Sequence, residues 1–221
     1  MKPVKHAFFD YCETIYPGQS LQGFISKLHQ NIAPQTARAT LQKKLLSLPI
    51  GSKNYKKYAF ASLKGSEKSL IENVGKDFFM THLREKHYQF MLGTMQSYFE
   101  KGFQVTIVSG GCTEYLHHML DYNFIDNVIA TSLIYDTNER LIGFPSIECL
   151  GAQKIRFIER KFKGQIIDWS SAIFYTDSES DLPLLKKVGK GFVVGPSSSP
   201  PPWTMNQFDY VTLDSNCLAG P

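Results

Sequence analysis

Short apolar runs alternate with amphipathic stretches over most of the chain. Val4 to Phe9 is apolar, rich in β-formers and ended abruptly by Asp10, which predicts a buried strand. Gln104 to Val108, Val128 to Ala130, Ala172 to Tyr175 and Gly191 to Val194 have the same character. Helical spacing lies between them. Glu114 to Leu120 follows the second run, Gln153 to Phe162 places Ile155, Ile158 and Phe162 on one face, and Leu182 to Val188 follows the fourth. This alternation predicts an α/β fold, a three-layer Rossmann-like parallel sheet covered on both faces.

Residues 16–90 break the pattern. They read as helical throughout, as in Ala37 to Leu48, where Leu41, Leu45 and Leu48 recur at helical spacing, with Pro34, Pro49-Ile50-Gly51 and Gly65 as punctuation. An insertion directly after the first strand sits over that strand's C-terminal edge, where open α/β sheets bind ligands. The expected division is a core of residues 1–15 and 91–221 and a helical cap of residues 16–90. The run from Ser197 to Pro202 predicts a loop, extended where the prolines follow one another. The sequence shows no internal repeat.

Composition adds limits. The chain has 221 residues, 43% of them hydrophobic and 20% charged, with a net charge of +4, enough apolar material for a core and an ordinary charge content. Lys53, Lys56, Lys57, Lys64 and Lys68 cluster without a nucleic-acid signature, and a solvated helical face is the expected reading. Lys2 and Lys5 precede only three apolar residues before Asp10, too few for a signal-peptide core. No run approaches the roughly 20 apolar residues of a membrane span. Cys12, Cys112, Cys149 and Cys217 have no paired zinc spacing. Free thiols in a cytoplasmic protein, without nucleic-acid or membrane partners, are the expectation.

Four stations carry chemistry. Phe8-Phe9-Asp10 ends a strand in a carboxylate, with Thr14 four residues on. Val108-Ser109-Gly110-Gly111 ends another in a hydroxyl and two glycines, which let N–H groups approach an anion near a helix start. Lys154 lies early in a helix after Gly151, and Thr176-Asp177-Ser178-Glu179-Ser180-Asp181 ends a strand in two aspartates four apart. Singly these are caps, turns and a surface lysine. Their order along an alternating α/β chain is far more specific.

In that order and spacing the sequence resembles the haloacid dehalogenase superfamily, within it the phosphoserine-phosphatase-like branch, over nearly the whole chain except the C-terminal tail. The resemblance implies a phosphatase in which the Asp10 carboxylate attacks phosphorus and forms an aspartyl-phosphate. It also implies Mg²⁺ held by Asp10, the main-chain carbonyl of Cys12 and Asp177, with Asp181 orienting ligands from behind. Ser109 and the N–H of Gly110 would hold phosphoryl oxygens, and Lys154 would neutralise charge between Asp10 and a small-molecule phosphomonoester.

Two departures stand out. The family's hydrolases place a second aspartate two residues after the nucleophile, as general acid and then base. Here that position is Cys12. Such a group contributes roughly 10²–10⁴-fold, so a handicapped second half-reaction is expected. Three outcomes compete: a phosphatase using Cys12, Glu13 or a substrate group as acid/base; transfer of the phosphoryl group to an acceptor other than water; and a phosphate-binding protein without turnover. Retention of Asp10, Lys154, Asp177 and Asp181 favours chemistry. The second departure is Gln19, where phosphoserine phosphatases carry a cap glutamate for the substrate amine, which makes phosphoserine a poor candidate. Cys12, Cys112 and Cys149 could all approach the sheet edge, either as unrelated buried thiols or as a redox-sensitive cluster.

Overall fold

The computed structural model describes residues 4–32, 52–196, 199–204 and 207–213. The strands are β1 (His6–Phe9), β2 (Gln104–Cys112), β3 (Asn127–Thr131), β4 (Ile134–Tyr135), β5 (Leu141–Gly143), β6 (Ile173–Thr176), β7 (Lys190–Gly195) and β8 (Asp209–Thr212). Six of them form one parallel sheet in the order β3-β2-β1-β6-β7-β8, and β4 and β5 form a separate antiparallel pair. Alternation along the strands divides the core in two. Ala7 and Phe9 of β1, like Ile173 and Tyr175 of β6, join the larger apolar cluster, whereas Phe8 and Phe174 join the smaller one on the opposite face. Phe9, Tyr175 and Phe192 stack across three neighbouring strands, with centroids 5.0 and 4.4 Å apart. The expected α/β class and parallel sheet are what the structure has.

Between β1 and β2 lie α1 (Ser20–Asn31), α2 (Lys53–Ala61), α3 (Lys68–Phe78), a π-turn at Phe79–Leu83 and α4 (Gln89–Glu100). Phe24, Phe60, Ile71, Phe78 and Met95 from these helices all enter the larger cluster. After β2 comes the single turn α5 (Thr113–Leu116). α3 presses on it so closely that a Cβ at Gly75 would lie 2.2 Å from the Glu114 carbonyl oxygen. The segment before α3 is also tied to the β4–β5 pair: Gly65 N–H donates to Leu141 C=O at 2.8 Å, and Leu141 N–H to Ser66 C=O at 2.9 Å. On the other face, α6 (Gln153–Lys161) and α7 (Leu182–Leu185) supply Ile158, Leu184 and Leu185 to the smaller cluster.

Several boundaries differ from expectation. β2 does not stop at Val108 but continues to Cys112. The stretch after it is one α-turn followed by a 3-10 segment, His117–Asp121, and α7 is likewise a single turn. The β4–β5 pair and β8 were not foreseen. β8 mixes half-buried Tyr210 and Val211 with exposed Asp209 and Thr212, so it lacks the continuous apolar signature of a central strand. The proline run ends in a 3-10 turn at Pro202–Thr204. The helix expected over Ala37 to Leu48 lies outside the described residues, as do Ser197 and Ser198 of the loop.

Candidate active site

Because β2, β1 and β6 are neighbours, their C-terminal ends bring Ser109, Asp10 and Asp177 to one edge of the sheet. Asp10 N–H donates to Tyr175 C=O at 2.9 Å, which extends the β1–β6 pairing one residue past the strand. The chain then turns sharply. The Tyr11 carbonyl accepts from the N–H groups of Ile15 and Tyr16, both at 2.9 Å, and Glu13 adopts φ 54°. A left-handed conformation costs a non-glycine residue about 1–2 kcal/mol, and such strain concentrates at functional turns. The turn leaves Asp10 and Cys12 on a cavity of about 210 Å³ shared with Ser109, Gly110 and Asp177. Glu13 does not line it.

Lys154 supplies the positive charge at this edge. Its side chain is 1% exposed, and Nζ lies 2.9 Å from Asp10 Oδ1 and 2.6 Å from Asp181 Oδ2. Thr176 Oγ1 donates to the same Asp181 oxygen at 2.8 Å. Gly151 makes this approach feasible: its φ is +53°, and a Cβ there would lie 2.9 Å from the Ser180 carbonyl oxygen. Burial alone would lower the Lys154 pKa, but the Asp10 and Asp181 carboxylates outweigh it and raise it. Lys154 is therefore held as ammonium.

The glycines of the second station have another use than foreseen. Between Val108 and Cys112 the register of β2 against β3 slips, so Ser109, Gly110 and Gly111 form a bulge rather than a turn into a helix. A Cβ at Gly110 would meet Leu150 Cδ2 at 2.2 Å, and one at Gly111 would meet the Tyr115 hydroxyl at 2.4 Å. Each glycine admits a neighbouring side chain. Ser109 Oγ accepts from Gly111 N–H at 3.1 Å. That same Tyr115 hydroxyl lies 2.7 Å from Ser20 Oγ, which lies 3.3 Å from Cys12 Sγ, so a hydrogen-bonded chain reaches the thiol from beneath α1.

Residues 7–186 match the family model described as haloacid dehalogenase-like hydrolase. The chain belongs to this family. The haloacid dehalogenase fold recurs in solved structures, at identities that speak for the fold alone. A Bordetella pertussis Tohama I protein of unknown function superposes with a TM-score of 0.78 at 15% identity, covering 96% of this chain and 100% of that one. A phospho-aspartyl intermediate analogue of phosphoserine phosphatase gives 0.59 at 16%, covering 96% and 95%. Cytosolic 5'-nucleotidase IIIB bound to cytidine gives 0.59 at 13%, covering 96% and 81%. No curated protein matches the chain in sequence.

Two carboxylates, Asp10 and Asp177, crowd this haloacid dehalogenase-type edge. Burial is the largest influence on Asp10 and raises its pKa, with Lys154 opposing. Burial, then the negative charge of Asp10, pushes Asp177 up to about 7. Among the described residues, no group of three or more His, Cys, Asp or Glu side chains is arranged to hold a metal. Asp181 Oδ2 is engaged by Lys154 and Thr176, while its Oδ1 is buried without a partner, and the Cys12 sulfur faces Ser20. A cation at the edge would have two side-chain carboxylates, Asp10 and Asp177, to which the family resemblance adds the Cys12 main-chain oxygen. This all-oxygen set fits Mg²⁺, which keeps several waters.

Burial raises all three described thiols: Cys12 to about 11, Cys149 to about 12 and Cys112 well above its usual value. Cys112 and Cys149 are buried, whereas Cys12 is half-buried and lines the cavity. Cys217 lies outside the described residues.

Apart from Gln19, sequence reasoning missed the opposite wall of the cavity. Gln19, Leu21, Gln22 and Ile25 from the start of α1 and Tyr55 and Lys56 from α2 line it. Gln19 occupies the N-cap position of α1 without a side-chain capping bond, so its amide is not consumed as a cap. Lys56 corrects the expectation of a solvated lysine face. It is buried and forms an ion pair with Glu148, while Lys57 and Lys64 are exposed. The available signal was its position three and four residues before the buried Ala59 and Phe60, on the apolar side of α2.

Proposed function

We propose that this haloacid dehalogenase-type protein is a Mg²⁺-dependent phosphomonoester hydrolase acting through an aspartyl-phosphate on Asp10. The observation that carries this reading is the buried Lys154 ammonium, in contact with a strand-end carboxylate that faces a cavity. In the first half-reaction, Asp10 attacks phosphorus while the bond to the alcohol oxygen breaks. Lys154 holds the Asp10 carboxylate in place and offsets the charge gathering on the phosphoryl oxygens. Ser109 and the backbone of the bulge at Gly110 face the same oxygens. Asp181, buried and bonded by Thr176, fixes the Lys154 ammonium rather than touching substrate. Bound Mg²⁺ would supply Lewis-acid stabilisation of a phosphoryl oxygen. Residues of the α1 and α2 region, part of the proposed cap over residues 16–90, would enclose the alcohol.

Cys12 sets the balance between the half-reactions. A thiol with pKa about 11 is protonated at neutral pH and can give its proton to a departing alkoxide. The same value leaves roughly one thiolate in 10⁴ at pH 7 to accept a proton from water. This favours a second reading, in which the aspartyl-phosphate is long-lived and an acceptor other than water receives the group.

Phosphate release from an aryl phosphate and a panel of metabolite monoesters, with and without Mg²⁺, tests the proposal. Release that needs Mg²⁺ and disappears in Asp10→Asn supports it; silence in both proteins would leave a binding module. Mg²⁺ should also raise the melting temperature by mass action on the folded state. An equal Mg²⁺ shift in wild type and Asp177→Asn would remove the metal from this site.

A further inference from the structure

We propose that Glu148 is a specificity-determining residue: by pairing with Lys56 it cancels the one cation that the described helices bring to the cavity and so selects phosphomonoesters of small, uncharged alcohols. This rests on the phosphatase reading and names its substrate class.

Lys56 is the single basic residue contributed to the cavity lining by the described helices, and the other polar groups there are the Gln19 and Gln22 amides. Leu21, Ile25 and Tyr55 complete that wall with apolar surface. An unpaired ammonium here would attract a carboxylate on the leaving group. It is not unpaired. Its Nζ contacts Glu148 Oε2, and both side chains are only 11% exposed. Nζ also lies 5.7 Å from the centroid of the Phe144 ring, and Phe144 in turn stacks on Phe60 at 5.1 Å. The pair is thus fixed from several directions and screened little by solvent. Glu148 comes from the loop just before the Lys154 helix, so the core itself supplies the neutralising charge.

An anionic alcohol would then bring its carboxylate to a cavity holding Asp10 and Asp177 and, among the described residues of the helical wall, a lysine already neutralised by Glu148. Removing that carboxylate from water would go unrepaid. A hydroxyl can instead bond the glutamine amides, and carbon can pack on Leu21, Ile25 and Tyr55. The volume of about 210 Å³ is below the roughly 300–1,000 Å³ of sites for drug-sized ligands, which keeps the alcohol small.

The experiment compares glycerol 3-phosphate with 3-phosphoglycerate, which differ by a hydroxymethyl in place of a carboxylate. An aryl phosphate serves as the control for chemistry. Wild type should favour glycerol 3-phosphate by at least about 10-fold in kcat/KM. Glu148→Gln should move the ratio toward 3-phosphoglycerate by about 10-fold, chiefly through KM, as expected for a change in binding. Glu148→Asp should keep the wild-type preference, and Lys56→Met/Glu148→Gln should restore it. Each ratio is internal to one protein, so a loss of folded fraction does not alter it. Aryl-phosphate turnover with a wild-type preference for 3-phosphoglycerate, or with a ratio unmoved by Glu148→Gln, overturns this inference and leaves the phosphatase reading standing. No Asp10-dependent turnover of any ester overturns both.

Discussion

The two walls of the cavity are built on opposite principles. The strand-end wall is charged, and its charges are tied to one another: Lys154 to Asp10 and Asp181, and Asp181 to Thr176. The helical wall presents amides, aliphatic groups, an aromatic ring and one ammonium already cancelled by Glu148. Charge can be kept in a dry site only where partners meet it from several elements, and the sheet edge offers three strands and a helix within reach. Among its described residues the helical wall carries a single charge, Lys56, and Glu148 neutralises it. On the proposed function, reactivity lies on the charged side and selection on the other. The sharpest break of this contrast is Asp10→Asn, which keeps the shape but removes the proposed nucleophile. Turnover of every ester should fall by at least about 10³-fold, while binding of small neutral esters persists. Steady-state kinetics and an ester titration of the variant check both halves.

Lys154→Met should damage the fold as well as the reaction. Removing one partner of a buried ion pair typically costs about 3–5 kcal/mol, because the remaining charges stay buried and unmatched. Asp10 and Asp181 would both be left so. Gln22→Ala on the opposite wall strands no charge, and it should stay within about 0.5 kcal/mol of wild type. Urea midpoints of the two variants measure the contrast. A mild effect of Lys154→Met would mean that the charged wall is not a coupled network.

The charged wall was also the legible one. Asp10, Ser109, Lys154, Asp177 and Asp181 follow short apolar runs or begin a helix, and strand order alone then gathers them at one edge. Singly they were ambiguous; their order along the chain and the family resemblance it carries singled them out. The helical wall depends on contacts far apart in sequence. Lys56 meets Glu148 across 92 positions, and nothing local to either residue announces the other. Its lysine neighbours hid it, although its spacing from Ala59 and Phe60 marked the buried side of α2. The bulge at Ser109–Gly111 was misread for a related reason. The glycines also admit Leu150 and Tyr115, whose approach depends on tertiary packing. β8 escaped because an edge strand with two exposed residues carries no apolar run.

His87 joins the strand-end turn, through Tyr11, to the segment carrying Tyr122, and this seam sharpens the comparison through pH. Its Nε2 lies 2.9 Å from the hydroxyl of Tyr11, next to the nucleophile, and its Nδ1 lies 3.1 Å from that of Tyr122. Burial first, then the positive charge of Arg84, lowers its pKa to about 3. The unfolded chain therefore binds a proton near pH 6.5 that the folded chain refuses. The stabilisation is complete above about pH 6.5 and is lost as pH falls toward 3. Between pH 7 and pH 5 this contributes a loss of about 2 kcal/mol. His87→Gln keeps an uncharged hydrogen-bonding group, and its stability should fall less over the same interval. Urea unfolding at both pH values compares the two proteins. Parallel pH profiles would show that the seam is insensitive to this imidazole.

The smallest effect tests where the two walls touch. Cys12 belongs to the strand-end turn, but its sulfur contacts Ser20 at the start of α1. If the missing carboxylate limits turnover, Cys12→Asp should raise hydrolysis of alkyl phosphates by about 10-fold, toward the low end of what acid–base groups supply. Ser20 can donate to the new carboxylate, so the substitution need not leave an unsatisfied polar group. Asp10 and Asp177 oppose it by repulsion, which keeps the expected gain modest and makes it largest with Mg²⁺ present. Aryl phosphates should gain less in the first half-reaction, because their leaving group needs little protonation. Acid-quenched intact mass gives the second readout: wild type should carry phosphate on Asp10 during turnover, and Cys12→Asp should not. An unchanged alkyl-phosphate rate with the fold and Mg²⁺ response intact would show that the thiol serves the natural reaction. A strand-end group would then have been fitted to the neutral wall it meets.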